Sequence, residues 1–267
     1  MKINLEFDYE KYADKNNLWD LLGVNKEDCS DANTKVIYES DYAVTEDMED
    51  AFPAQMDDLS RIHYLIRNLR VVTALEIGAG KSTLFIADAI LQNKKEFGDF
   101  VEINLRKNNA FEVHSIETSE SWASEVEKNM PNNLKDIHSM HVVQSRMDTF
   151  NSRICTTFDS FPNICPDFIY LDGPDQYAPH GDINGITTRH KDRMPMVSDI
   201  LRIEHFLLPG TVILVDGRTA NARFMKNNLQ QDWEYEHYPE YDIHIFRNVE
   251  SALGVYNQRE LDFKFDT

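Results

Sequence analysis

Two kinds of segment alternate along most of this chain. Short runs of strand-forming residues are apolar on both faces, and the segments between them carry apolar residues every three or four positions. The strand-like runs are residues 71–77, 111–116, 140–144, 167–171 and 211–215. The helix-like segments are residues 57–70, 81–91, 121–130, 194–206 and 219–229. Such an alternation is typical of a parallel sheet with helices on both faces.

The alternation predicts one α/β domain from about residue 56 to residue 250. We expect a three-layer fold with a mostly parallel central sheet, helices on both faces and an antiparallel closing strand, supplied by residues 233–247. Residues 1–55 are rich in acids and show no sustained period, so they are expected to be an acidic N-terminal extension of the domain. Residues 251–267 are expected to be a C-terminal tail.

The charge of the chain restricts its partners. Its 46 acidic side chains exceed its 27 basic ones, which gives a net charge of −19. An acidic surface repels nucleic acid and anionic lipid, so neither is expected as a partner.

No apolar stretch is long enough to span a membrane, and the N-terminus lacks a signal-peptide core. The three cysteines have no metal-type spacing, and we predict a cytoplasmic protein with reduced thiols.

Acidic side chains recur where the predicted strands end. In open parallel sheets, ligands bind at the carboxyl ends of the strands. Four acids occupy these ends: Glu76, Glu117, Asp172 and Asp216. Glu76 lies inside an apolar strand, where a carboxylate needs a polar partner, and a ligand with an amine or hydroxyls would supply one. The pattern predicts a ligand site at this edge.

The glycine-containing loop after the first strand, residues 75–83, fits neither common phosphate-binding motif. A P-loop requires glycine at position 75, which is Leu75, and a dinucleotide fingerprint requires glycine at position 83, which is Thr83. Gly78 and Gly80 still allow the backbone to approach a ligand closely.

Together these residues resemble the class I S-adenosylmethionine-dependent methyltransferases. The resemblance rests on Glu-x-Gly-x-Gly after the first strand, an acid at the end of the second, and Asp-Phe-Ile-Tyr-Leu-Asp-Gly-Pro on the fourth. It covers roughly residues 57–248 and implies a Rossmann-like methyltransferase fold with S-adenosylmethionine as cofactor. The cofactor-binding residues that it implies are Glu76, Gly78, Ala79, Gly80, Ser82, Glu117, Thr118 and Asp172, with Glu117 on the ribose.

The chain departs from that family in two places. The interval between Glu76 and Glu117 is roughly twice the usual one, which predicts an inserted loop or hairpin over residues 93–109. After the third strand, Ser145, Arg146 and Met147 replace the small residue and the acid that often lie near adenine.

The resemblance implies methyl transfer to a small molecule, with oxygen as the expected acceptor atom. A hydroxyl acceptor requires alignment and removal of its proton, and the candidate bases are Asp172, His180 and His190. Arg189 and Arg218 are basic residues on the expected ligand side and suggest an anionic acceptor, although balancing of surface charge explains them equally well. Asp216 completes the predicted substrate-binding set.

A metal ion is not favoured by the sequence. Asp172 and Asp216 stand where some O-methyltransferases of this fold hold Mg²⁺, but Gly217 replaces the asparagine that usually follows the second acid.

Two other functions stay open: an NAD(P)-dependent Rossmann oxidoreductase or epimerase, and a non-catalytic protein that keeps the cofactor fold for binding. The first is disfavoured because the chain has no Tyr-x-x-x-Lys pair. A homo-oligomer is also left open.

Overall fold

The structure is a computed structural model that describes residues 3, 5–23 and 54–265. The acidic stretch of the predicted N-terminal extension, residues 24–53, lies outside the described residues. In the described part of the chain, no helix combines the length and the apolar character needed to cross a membrane.

Helices and strands alternate much as the sequence predicts. The helices in the described ranges are α1 (Tyr9–Asn16), α2 (Leu18–Leu22), α3 (Met56–Asn68), α4 (Lys81–Asn104), α5 (Glu120–Asn129), α6 (Asn132–Lys135), α7 (Asp199–Ile203), α8 (Thr219–Lys226) and α9 (Val255–Phe265). The strands are β1 (Thr73–Ile77), β2 (Glu112–Glu117), β3 (His138–Val142), β4 (Ser145–Phe150), β5 (Arg153–Phe158), β6 (Phe168–Leu171), β7 (Val212–Asp216), β8 (Trp233–Tyr238) and β9 (Ile243–Asn248).

The central sheet has seven strands in the order β3-β2-β1-β6-β7-β9-β8. Strands β3, β2, β1, β6 and β7 are parallel, and β9 is antiparallel to both of its neighbours. The chain runs outward from β1 through β2 to β3 and then returns to β6 beside β1, which places the switch in strand order between β1 and β6. The predicted fold, a mostly parallel Rossmann-like sheet closed by an antiparallel strand, is confirmed.

Two apolar layers hold helices against the sheet. On one face, Ala74, Phe168 and Leu214 pack with residues of α3 and α4. On the other, Ile169 and Ile213 pack with residues of α7 and α8. Because alternate residues of each strand enter opposite layers, both faces of the central strands are apolar, as the sequence indicated.

Both ends of the described chain pack on this domain. The Tyr12 hydroxyl of α1 lies 2.8 Å from His63 Nδ1 of α3, and Phe7 stacks on Tyr64 at 4.3 Å. At the other end, the α9 ammonium group of Lys264 donates to backbone carbonyls next to β6 and β7. The expected boundaries at residues 55 and 250 stay predictions, while these contacts join the flanking helices to the same core.

Helix α4 replaces most of the predicted insertion. Residues 93–104 are helical, so the prediction of an inserted loop or hairpin over residues 93–109 is wrong. Asn93, which reads as a loop residue, is buried and donates from Nδ2 to the carbonyls of Ile66 and Val71. These bonds fix the middle of α4 against the end of α3.

A hairpin that the sequence did not predict follows β3. Strands β4 and β5 pair antiparallel, and Cys155 and Phe158 of this hairpin enter the second apolar layer. The hairpin also shortens the next helix: the amide of Thr156 donates to the Met196 carbonyl, and the amide of Ser198 donates to the Thr156 carbonyl. Residues 194–198 are therefore not helical, and the helix predicted from residue 194 begins at Asp199.

Candidate functional site

The acids predicted at strand ends do meet at one edge of the sheet. Because β2, β1, β6 and β7 are parallel neighbours, their carboxyl ends lie side by side. Glu117 ends β2, Asp172 directly follows β6 and Asp216 ends β7. The glycine loop, residues 78–80, leaves the same edge between β1 and α4. This edge is the candidate site.

Gly78 fixes the start of the glycine loop. Its φ of 94° lies in the region that favours glycine, and its amide donates to the Ile116 carbonyl at 2.9 Å. A Cβ atom at this position would lie 2.7 Å from the backbone carbonyl of Asp172. The loop after β1 and the segment after β6 are thus in direct backbone contact.

Glu76 is wholly buried and its carboxylate is satisfied by the chain itself. Ser82 Oγ donates to Oε1 at 2.6 Å, while Thr83 Oγ1 and Ser115 Oγ donate to Oε2 at 2.7 and 2.6 Å. Burial raises the pKa of Glu76 to about 7, and these hydrogen bonds oppose the rise. The partner expected from a ligand is supplied here by three hydroxyl groups, and the side chain has no exposed surface. Glu76 therefore stabilises the glycine loop from inside the protein, through its hydrogen bonds with Ser82 and Thr83.

The network around Glu76 continues across the sheet. His138 Nε2 on β3 lies 2.9 Å from Ser115 Oγ, whose proton is donated to Glu76. Burial, with the neighbouring histidines, lowers the pKa of His138 to about 4, so this imidazole is neutral and donates from Nε2. Thr83 Oγ1 accepts from the amide of Gly80, so the hydrogen-bond network extends into the glycine loop. Neither Ser115 nor His138 was a predicted site residue.

Glu117 joins the end of β2 to the glycine loop. Its Oε1 accepts from the amides of Thr118 and Ser119 at 2.7 and 2.8 Å. Its Oε2 accepts from the amide of Ala79 at 3.2 Å. Burial raises the pKa of Glu117, and the backbone donors oppose that change. Unlike Glu76, the carboxylate is partly exposed at the edge of the sheet.

Trp122, in the first turn of α5, also reaches the loop. Its indole Nε1 donates to the Ala79 carbonyl at 2.6 Å. The sequence analysis missed this residue because an isolated tryptophan in an amphipathic helix carries no motif.

Arg218 does not point to the acceptor side as a free cation. Its Nη2 donates to the Asp172 carbonyl at 2.7 Å, its Nη1 donates to the Pro174 carbonyl at 2.9 Å, and its Nε lies 3.3 Å from Asp172 Oδ1. The side chain of Arg218 is 12% exposed, whereas that of Asp172 is 49% exposed. This geometry does not favour the predicted role of Arg218 in binding an acceptor anion, because the guanidinium nitrogens donate to the segment after β6.

Asp216 lies in an acidic and partly buried environment. Its Oδ2 accepts from the hydroxyl of Tyr170, which stands on the neighbouring strand. Burial raises the pKa of Asp216 well above its ordinary value, and the nearby carboxylates of Asp172 and Asp58 raise it further. Asp216 therefore holds a proton more readily than an ordinary aspartate does.

The predicted histidines lie in the long segment after β6 and are exposed. The backbone of His180 pairs with β4, through its amide to the Ser145 carbonyl and its carbonyl to the Met147 amide. His190 Nδ1 accepts from the amide of Asp192. Among the described residues, neither imidazole contacts a strand-end carboxylate. Arg189 is exposed in the same segment.

Ser145 occupies the site edge next to Glu117. The amide of Val143 donates to the Glu117 carbonyl at 2.8 Å, which brings the end of β3 against the end of β2. Ser145 is 1% exposed, and its Oγ has no hydrogen-bond partner in the described ranges 5–23 and 54–265. A buried hydroxyl without a partner costs free energy, and Ser145 Oγ is one of several such atoms among the described residues.

No group of three or more His, Cys, Asp or Glu side chains within the described residues is arranged to hold a metal ion. The two carboxylates named above as possible metal ligands, Asp172 and Asp216, have protein donors in Arg218 and Tyr170.

Comparison with known proteins identifies a family. A family model described as a methyltransferase domain matches residues 75–217, a little more than half of the chain. The matched part begins within β1 and ends just after β7, so it contains the glycine loop and all the strand-end acids. No curated protein matches the sequence.

Several solved structures are similar at low identity. The O-methyltransferase TomG of Streptomyces achromogenes, involved in tomaymycin synthesis and solved with SAM, is 12% identical over 92% of this chain and 100% of its own, with a TM-score of 0.41. The SAH-bound methyltransferase PaMTH1 of Podospora anserina is 12% identical over 94% and 100%, with a TM-score of 0.44. The Bacillus cereus O-methyltransferase in complex with SAH is 13% identical over 93% and 94%, with a TM-score of 0.39.

Proposed function

This chain belongs to the methyltransferase-domain family, as a class I S-adenosylmethionine-dependent methyltransferase, and we propose that it methylates a hydroxyl oxygen of a small molecule. The family match confirms the methyltransferase resemblance stated from the sequence, and the strand order confirms the fold. S-adenosylmethionine is the cofactor that this family membership implies. The observation that carries the proposal is the constellation at one sheet edge. A locked glycine loop, the Glu117 carboxylate and the half-exposed Asp172 carboxylate face the same place.

The residues at this edge fit the cofactor in two respects. A Cβ atom at Gly80 would meet nothing nearer than Ser82 Oγ at 4.0 Å, so the outer side of the loop is open to a ligand. Ser145 Oγ is a buried hydroxyl without a partner in the part of the chain that the structure describes, beside the Glu117 strand end. Ser145 would bind a polar atom of the adenine, and Glu117 would accept from the ribose hydroxyls.

The cofactor supplies an activated methyl group when it is bound. The chain must then align an acceptor oxygen and remove its proton. We propose that Asp172 is the base that accepts this proton. Its carboxylate is half-exposed at the strand end and is oriented by Arg218. Partial removal from water raises the pKa of Asp172, which strengthens it as a base, and Arg218 limits the rise. His180 and His190 stay candidate bases only through movement of their exposed segment.

The acceptor class is a separate proposal. The anionic acceptor suggested by the sequence rests on Arg189 and the basic residues beside it, since the Arg218 donors are engaged within the chain. We propose that Arg189 binds an acceptor carboxylate or phosphate. Changing Arg189 to alanine should raise the acceptor KM severalfold with little effect on cofactor binding, and an unchanged KM would count against an anionic acceptor.

A ligand panel tests the proposed function. Thermal unfolding and calorimetric titration are measured with S-adenosylmethionine, S-adenosylhomocysteine, NAD(P) and ATP. Stabilisation by the first two alone supports the proposal, and formation of S-adenosylhomocysteine is then followed across phenolic, sugar and hydroxy-acid acceptors. Stabilisation only by NAD(P) supports the oxidoreductase instead. Tight S-adenosylmethionine binding without turnover on any acceptor supports a non-catalytic binding protein.

A further inference from the structure

The indole of Trp122, in the first turn of α5, contacts the glycine loop. It is partly exposed, and its Nε1 donates across 2.6 Å to the Ala79 carbonyl, the middle of the glycine loop. The two other tryptophans bond elsewhere: Trp233 donates to Glu204 at 3.0 Å, and Trp19 donates to Asp14 at 2.7 Å. Trp122 is therefore the tryptophan that touches the candidate cofactor loop.

The backbone of Ala79 is held on both sides, by the last residue of β2 and by the helix that follows it. Its amide donates to Glu117 Oε2 at 3.2 Å, and its carbonyl accepts from Trp122. The Ala79 bond is the long one among the backbone donors to Glu117, since the amides of Thr118 and Ser119 lie at 2.7 and 2.8 Å from the other oxygen. Oε2 is consequently the carboxylate oxygen of Glu117 that can most readily accept a hydrogen bond from another donor.

A hydroxyl group that binds Glu117 will compete with the Ala79 amide for Oε2. Once that bond is weakened, Ala79 has lost one of its two hydrogen bonds to the β2 side, and the shorter Trp122 bond remains. A short hydrogen bond from a neutral donor in a partly buried site contributes about 0.5–1.5 kcal/mol net. That range corresponds to a change of about two- to tenfold in a binding constant.

We propose that Trp122 is a positioning residue for the cofactor: it holds the Ala79 carbonyl, and with it the glycine loop, when Glu117 accepts from the ribose. The inference rests on the proposed function, because it needs a ribose-bearing cofactor at this loop. It assigns a role to a residue that neither the strand-end pattern nor the glycine motif includes. Trp122 acts through the loop and is not a catalytic residue.

The first experiment compares Trp122→Phe with Trp233→Phe. Each variant keeps an aromatic ring and loses one indole hydrogen bond to an oxygen, but Trp233 lies on β8, at the far edge of the sheet. Calorimetric titration with S-adenosylhomocysteine should show binding about two- to tenfold weaker for Trp122→Phe and unchanged for Trp233→Phe. The KM for S-adenosylmethionine should rise by the same factor, while kcat changes less.

The second experiment does not require Trp122→Phe to fold. In the double variant Trp19→Phe/Trp233→Phe, Trp122 is the single remaining tryptophan, because the chain has three. Its fluorescence should shift or be quenched as S-adenosylhomocysteine saturates the protein. A protein that binds the ligand by calorimetry while this emission stays constant would overturn the inference.

The outcomes separate this inference from the proposed function. If wild-type protein binds neither S-adenosylmethionine nor S-adenosylhomocysteine, the proposed function itself fails. If the wild type binds and Trp122→Phe binds equally well, only the role of Trp122 is lost. Equal weakening by Trp122→Phe and Trp233→Phe would also overturn it, because a general loss of stability would then explain both.

Discussion

Gly78 and Gly173 are packed backbone against backbone at the switch in strand order. A Cβ atom on Gly173 would lie 2.5 Å from the Gly78 Cα, and a Cβ on Gly78 would lie 2.7 Å from the Gly173 amide nitrogen. Real Cβ atoms do not approach backbone atoms so closely. The absence of both side chains is what allows the loops after β1 and β6 to meet, and it sets the distance between the glycine loop and Asp172.

Gly78→Ala should displace the loop after β1. The variant combines a backbone clash with an unfavourable φ of 94°, so we expect a loss of about 3 kcal/mol or more in stability and strongly weakened cofactor binding. Gly185→Ala is the matched control, because Gly185 has a φ of 76° but a methyl group added there would meet no neighbouring segment within 4 Å. It should cost only about 1 kcal/mol. Equal losses on chemical denaturation would show that φ strain alone matters.

Glu76→Gln should change how stability depends on pH. The pKa of Glu76 is raised to about 7 in the folded protein, from an ordinary value of 4.5, because the carboxyl is buried. The folded state therefore holds the proton more tightly than the unfolded state, and this contribution to stability falls as pH rises from about 5 to about 7. The glutamine variant lacks this contribution at every pH.

The measurement is the difference in unfolding free energy between wild type and Glu76→Gln across that range. Wild type should lose up to about 3 kcal/mol relative to the variant between pH 5 and pH 8. A difference that is constant with pH would mean that the carboxyl is not protonated in this range.

The central sheet and its ligand edge could be predicted because burial on both faces leaves a direct trace in the sequence. DFIYL and TVILV are almost wholly apolar, and parallel neighbours necessarily end at one edge, so Asp172 and Asp216 could be placed together before the structure was known. Helix α4 was harder: Asn93 reads as a loop residue, but it is buried because two carbonyls of a different segment accept from its amide.

The partners of the strand-end groups could not be predicted in the same way. Glu76 required a donor, and the sequence could not tell a ligand from Ser115, which faces it only through the register of β1 with β2. Arg218 appeared free because the carbonyls that it binds, at Asp172 and Pro174, carry no side-chain signal. Periodicity predicts which face a residue occupies, while the identity of its partner depends on pairing between distant segments.

Lys264→Met should weaken the attachment of α9. The buried ammonium group lies 3.2 Å from Asp167 Oδ2 and donates to the carbonyls of Asp167 and Gly210 at 3.1 Å. Its removal leaves a buried carboxylate that still accepts from the backbone amides of Val72 and Thr73 but has lost the cation in contact with it. Loss of one partner of a buried pair costs about 3–5 kcal/mol, so the urea midpoint should fall clearly.

Lys11→Met is the control for the effect of losing a lysine. Lys11 pairs with Asp8 at 2.6 Å, but both side chains are largely exposed, and exposed pairs contribute little. The midpoint of this variant should match that of wild type. If Lys264→Met also left the midpoint unchanged, α9 would not be part of the cooperative unit.

Arg218→Ala distinguishes a structural arginine from one that binds the acceptor. Because the guanidinium donates to two carbonyls and lies beside the Asp172 carboxylate, its loss should lower both the unfolding midpoint and kcat. Arg218→Lys should restore little of either, since one ammonium group cannot reproduce the geometry of a guanidinium with three engaged nitrogens. Arg189 is exposed, so Arg189→Ala should lower the midpoint less than Arg218→Ala does. A normal midpoint with a raised acceptor KM in Arg218→Ala would reverse the assignment and return Arg218 to the acceptor site.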